Sequence, residues 1–211
     1  MKRRGMWLFL LPILLLSLPA IAGEIYEDGP INGSVDAWTI NFGFFVGDTF
    51  TVSSGASTID GMMFGAWLSP GDTLLTSELS ITSEPGGGQT YFDQIVNWSA
   101  SGCNVNQYGF DICTETATFN GPTLDNGTYW VVLQNAVDTL GDPVYWDENS
   151  GEGCHSPGCP SLTYWFEGSI PAESFTILGS PAGTTPEPAG IVLFGSGVAT
   201  LGAILRRKLL R

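Results

Sequence analysis

Side chains that alternate apolar and polar residue by residue suit a half-buried strand, because successive Cβ atoms of an extended chain point to opposite faces. The stretch "WTINFGFFV" alternates in this way, with Trp38, Ile40, Phe42, Phe44 and Val46 in one phase and Thr39, Asn41 and Gly43 in the other. The same period recurs in "DTFTVSS", "DGMMFGAWLS", "SELSITSE", "TYFDQIVNWSAS", "YGFDICTETATF", "GTYWVVLQNAV", "DPVYWDE", "LTYWFEGSI" and "SFTILG". No long run between 23 and 178 carries an apolar stripe at helical spacing, and no internal repeat is visible. Turn chemistry separates the strands: "SPGD" at 69–72, "EPGGG" at 84–88, "NGP" at 120–122 and "DNG" at 125–127 supply proline-fixed or positive-φ positions. The chain is therefore expected to be all-β, a single jelly-roll-like β-sandwich of about 8–10 antiparallel strands over residues 23–178. An up-and-down barrel is the lesser alternative.

Charge is segregated along the chain. All seven Lys and Arg stand at positions 2–4, 206–208 and 211, whereas all 21 Asp and Glu lie between Gly23 and Pro188. The body thus has a formal charge near −21 and, apart from His155, no side chain able to become cationic. A body of that sign is repelled by nucleic acid and by anionic lipid, and it has no Lys or Arg to hold a phosphate, so nucleic-acid and nucleotide functions are excluded.

Each cationic group flanks an apolar run. At the start, Lys2, Arg3 and Arg4 precede the apolar stretch Leu8–Leu18 and the small-residue pattern Ala20-Ile21-Ala22, so residues 1–22 are expected to be a secretory signal peptide with a mature start near Gly23. Near the end, residues 189–205 carry no charge and would span about 26 Å as a helix at ~1.5 Å per residue. That is a short transmembrane helix, weakened by Gly190, Gly195, Gly197 and Gly202, with a basic cytoplasmic tail at 206–211. Residues 179–188, rich in Gly, Ser, Thr and Pro, read as a linker between body and membrane. In it, Pro186 and Pro188 keep the chain around Glu187 extended and outside the following helix.

The order "TPEP", apolar run, "RRKLLR" resembles the tripartite sorting signal of the PEP-CTERM proteins, exported by bacteria that make extracellular polysaccharide. Pro186, Glu187 and Pro188 match that family's motif, while Thr185 stands where the family often has Val. The resemblance covers roughly residues 185–211. It implies an exosortase-like processing enzyme as partner, a membrane anchor before processing, and delivery to the cell surface or an extracellular matrix. About the activity of the body it implies nothing.

Four cysteines behind a secretory signal read as disulfides. Three pairings are possible, and Cys103 with Cys113 and Cys154 with Cys159 are favoured because each closes a local loop. A zinc site on Cys154, His155 and Cys159 is disfavoured, since paired C-x-x-C knuckles are missing. In "YWDENSGEGC", Asp147, Glu148, Asn149 and Glu152 form the densest acidic loop, a candidate Ca²⁺ site, although Gly158 stands where a calcium loop would place its bidentate Glu. No other cofactor is expected. Trp130, Trp146 and Trp165 adjoin tyrosines in "TYW", "VYW" and "TYW"; adjacent strand residues face opposite ways, so one ring of each pair could face outward and stack on a sugar. Triad hydrolysis would have to use His155, the lone histidine, and the glycines around Glu148 and Glu152 suggest a loop instead of a glycosidase strand. The expectation is a non-enzymatic, exported, surface-sorted structural or matrix-associated protein of a bacterial envelope. The alternative is a carbohydrate-binding or Ca²⁺-dependent adhesion module that meets extracellular polysaccharide.

Overall fold

A computed structural model describes residues 23–149, 163–165 and 168–182, all of which fall in one compact unit, Ala22–Thr184. Fourteen strands are numbered here in chain order: β1 (Gly23–Asp28), β2 (Ala37–Thr39), β3 (Phe45–Val52), β4 (Ser57–Leu68), β5 (Leu74–Glu84), β6 (Gly87–Asn97), β7 (Ser99–Val105), β8 (Asp111–Thr118), β9 (Thr123–Leu124), β10 (Gly127–Asp138), β11 (Tyr145–Asp147), β12 (Thr163–Trp165), β13 (Gly168–Ile170) and β14 (Phe175–Pro181). They form two sheets, of eight and six strands, and every pairing is antiparallel. The all-β sandwich expected from the alternation is therefore present. The strand number exceeds expectation because β1 and the two-residue β9 lie outside the alternating runs, and "WTINFGFFV", "TYFDQIVNWSAS" and "LTYWFEGSI" each divide between two strands.

The first sheet is built around β4. Phe64 pairs with Phe175 of β14 on one side and with Glu115 of β8 on the other. β11 extends the β14 side, pairing Trp146 with Ala66, and carries β2 beyond it; β1 lies outside β14, and β7 outside β8. The second sheet runs β13-β12-β3-β10-β5-β6. Inward-phase side chains from both sheets make the core, including Met62, Phe64, Leu68 and Ile177 from the first and Phe50, Leu79, Ile81, Val131 and Leu133 from the second. Trp146 is the largest of the fully buried side chains, edge-on to Phe64 and Phe175, and its Nε1 donates to the Ser174 carbonyl at 3.0 Å.

Two departures from the alternation have local causes. The stretch "WTINFGFFV" is not one strand: Phe42 and Gly43 take positive φ (56° and 87°), and the Phe44 amide closes a turn on the Asn41 carbonyl at 3.0 Å. That turn moves the chain from β2 in the first sheet to β3 in the second, and it leaves Phe42 65% exposed. At the other end, β14 runs through Pro181, so Gly179, Ser180 and Pro181, which begin the stretch read as a linker, pair with Ile59, Thr58 and Ser57.

Among the described residues no helix is long and apolar enough to cross a membrane. The expected signal peptide 1–22, the motif Pro186-Glu187-Pro188, the helix 189–205 and the tail 206–211 lie outside the described residues, as do Glu152, Cys154, His155 and Cys159.

Candidate functional site

Between β11 and β14 the chain leaves the first sheet and comes back to it. It departs after Asp147, supplies β12 and β13 to the second sheet, and returns at Ser174, whose amide donates to the Asp147 carbonyl at 2.8 Å. Glu148 and Glu173 form an isolated antiparallel bridge at this junction. Here carboxyl groups collect: Asp28, Asp48, Asp147, Glu148 and Glu173 are all buried, Glu148 being the most exposed at 7%.

Strand phase fixes which way each points. Trp146 faces the core, so Glu148, two residues on, faces the same way, and Glu173, directly opposite it, shares that face. On β3, Val46, Asp48, Phe50 and Val52 occupy the inward phase, which puts the Asp48 carboxyl between the sheets as well. Asp48 Oδ2 accepts from the Glu173 amide at 2.8 Å. Asp147, in the opposite phase from Trp146, is satisfied on its own side: Oδ1 accepts from Trp67 Nε1 at 2.7 Å, and Oδ2 from the Asn32 amide at 2.9 Å and Ser174 Oγ at 3.1 Å. The Gly33 amide is shared between both oxygens. Gly65 permits this close approach, since a Cβ there would lie 2.8 Å from Asp147 Cβ.

The rim is also ordered by named contacts. Glu148 Oε2 accepts from Trp38 Nε1 at 3.2 Å, and the Asn149 side-chain amide donates to Asp28 Oδ1 at 2.8 Å. Gly29 has φ +65°, and a Cβ on it would overlap the Asn149 amide, so that bond depends on the glycine. Glu173 is the exception. It is fully buried, and neither of its carboxylate oxygens has a hydrogen-bond partner.

Electrostatics follow from burial, with no Lys, Arg or His among the described residues. Desolvation, then the carboxyls of Asp48, Glu148, Asp147 and Asp36, push Glu173 well above the ordinary Glu range. Glu148 is raised by burial and by Asp36 and Asp147, against the Trp38 donor. Burial raises Asp147 too, opposed by its four donors, Trp67, Asn32, Gly33 and Ser174. A second buried acid stands apart: Glu115 on β8 faces the core, has no partner for either oxygen, and is raised by burial from 4.5 to about 7.

The residues singled out from sequence are thus only partly brought together. Asp147, Glu148 and Asn149 do meet, but they point in different directions, and Asp28, Asp48 and Glu173 join them from β1, β3 and the start of β14. Among the described residues no three His, Cys, Asp or Glu side chains already stand as a ready-made metal site. Cys103 and Cys113 are disulfide-bonded, tying β7 to β8. Of the three tryptophans proposed to stack on sugars, Trp146 is fully buried and has no face to offer, because its phase points inward. Trp130 is half-buried on β10, paired between Thr49 and Thr82. Trp165 is half-buried beside Trp38, ring centroids 4.6 Å apart, so it stands near Glu148. No protein-family model and no curated protein matches the chain.

Proposed function

We propose that this chain is an exported structural protein of a bacterial envelope, a jelly-roll-like sandwich delivered to the cell surface or extracellular matrix and without catalysis of its own. The observation that carries the reading is the charge segregation: every Lys and Arg flanks one of two terminal apolar runs, and the sandwich between them has none. Each cationic group stands on the side of its apolar run that the positive-inside rule leaves in the cytoplasm, as expected of a chain whose two ends engage a membrane and whose middle is carried across it. The Cys103–Cys113 disulfide supports an oxidising destination. Pro186, Glu187 and Pro188 are the cleavage region for an exosortase-like enzyme, and residues 189–205 hold the chain in the membrane until then.

Replacing Pro186, Glu187 and Pro188 together by Ala in the producing bacterium tests this. The expected result is accumulation of an unprocessed, membrane-retained form with depletion from the surface. Unchanged processing and surface display would reject the sorting role.

A second reading, a carbohydrate-binding module, is favoured by one feature: Trp38 and Trp165 form a half-buried aromatic pair, with Phe44 stacked on Trp165 at 6.3 Å. Aromatic surface of this kind stacks on sugar faces. On a glycan array, binding that disappears in Trp165→Ala would establish this reading, and an array without signal would leave the structural one standing alone.

A further inference from the structure

We propose that the junction between β11 and β14 is a binding site for a hard divalent cation of the Ca²⁺ type, held between the carboxylates of Glu148 and Glu173 with Asp48 behind them. The inference is independent of the envelope reading and would stand if that reading failed.

The geometry makes the case. Glu148 and Glu173 lie directly opposite each other across a β-bridge, on one face, and both are buried. Like charges in that relation repel, and the penalty grows as water is removed. Neutral protein groups do not relieve it: both Glu173 oxygens lack any hydrogen-bond partner. Nor does the body hold a Lys or Arg to neutralise the pair, since residues 23–188 contain neither. A small cation between the two glutamates satisfies both conditions at once. It supplies positive charge and ligates the carboxylate oxygens directly, at about 2.3–2.6 Å from each.

The neighbouring groups fit the same ion. Ca²⁺ accepts carboxylates, amide and backbone carbonyls and water in one irregular shell, so two or three acidic ligands suffice. No three acidic groups already converge among the described residues, so binding draws Glu148 and Glu173 together about the ion. Magnesium, which demands a near-ideal octahedron and holds its water, fits a bridge between two opposed strands less well. The bridge is also where an ion would matter most, because it closes the gap through which the chain leaves the first sheet for β12 and β13.

The test uses the full chain purified in detergent. Sites on extracellular modules bind Ca²⁺ with Kd of about 10⁻⁴–10⁻³ M, so 10 mM CaCl₂ should raise Tm by roughly 3–10 °C over EDTA. Glu173→Gln, which keeps shape and removes the charge, should lose most of that shift while folding normally in EDTA. Terbium, a Ca²⁺ analogue, should show emission sensitised by Trp38, which donates to Glu148, and Ca²⁺ should displace it. Terbium emission that falls in Trp38→Phe without loss of the Ca²⁺ shift would place the ion here. A Tm equal in CaCl₂ and EDTA overturns the proposal, as does a Ca²⁺ shift undiminished in Glu173→Gln, which would mean adventitious binding to surface carboxylates.

Discussion

Replacing Glu115 by Gln should abolish a pH dependence of stability that one buried carboxyl imposes on the whole sandwich. Glu115 occupies the inward phase of β8 between Cys113 and Ala117, opposite Phe64, and is fully buried with no partner for either oxygen. Burial lifts it from 4.5 to about 7. The unfolded chain releases this proton near its ordinary value and the folded chain holds it longer, so between those limits the folded state binds more protons and stability falls as pH rises. Its contribution is fully present below about pH 4.5 and is lost by the time pH has passed about 7. A displacement of about 2.5 units at ~1.4 kcal/mol each sets a ceiling near 3.4 kcal/mol. Because real interiors respond with an effective dielectric well above that of dry protein, we expect about 2–3 kcal/mol. Gln has the same shape and does not titrate, and whatever its buried amide costs is equal at all pH values. Urea unfolding followed by tryptophan fluorescence at pH 5 and pH 8 isolates the carboxyl as the change in the Gln-minus-Glu difference. That difference should grow by about 2–3 kcal/mol towards pH 8, equivalent to roughly 5–10 °C in Tm. A difference that is the same at both pH values would refute the reasoning, since Glu115 would then be as well solvated folded as unfolded.

Three other substitutions probe separate parts of the structure. The Cys103→Ala, Cys113→Ala double variant opens a loop whose ends are 10 residues apart, and should lose about 2–3 kcal/mol in urea unfolding. Trp146→Ala empties the largest fully buried position and breaks the bond to the Ser174 carbonyl, so a loss of about 3–5 kcal/mol is expected by the same measurement. Gly29→Ala strains a positive-φ position and displaces Asn149 from Asp28; it should cost about 1–3 kcal/mol and speed amide exchange at Asn149.

The long strands were legible because their period is unmistakable. "DGMMFGAWLS" covers β4 from Asp60 to its end at Leu68, and "GTYWVVLQNAV" lies within β10. What alternation could not show was where one strand ends and another begins. Asn41-Phe42-Gly43 looks in phase with its neighbours, yet positive φ at Phe42 turns the chain there, and Phe is a residue that seldom signals such a conformation.

The acidic site was half visible for a related reason. Asp147, Glu148 and Asn149 stand out as a run, whereas Asp48 and Glu173 are brought to them by pairings between segments far apart in sequence. A signal did exist. In "FVGDTFTV", Asp48 holds the phase of Val46, Phe50 and Val52, and in "DICTETAT", Glu115 holds the phase of Cys113 and Ala117. A carboxyl in an inward phase is costly, and its cost marks it. The outward stacking role of Trp146 failed for the converse reason: "VYW" shows that one ring of the pair is buried, without showing which one.

The central claim, that the anionic sandwich is exported and sorted to the surface, is tested most directly by cell fractionation combined with mass measurement of the isolated chain. The account predicts an envelope or extracellular species that begins near Gly23 and ends near Pro186–Pro188, with no Lys or Arg left in it. Recovery of the intact 211-residue chain from the cytosol, both basic ends still attached, would contradict it.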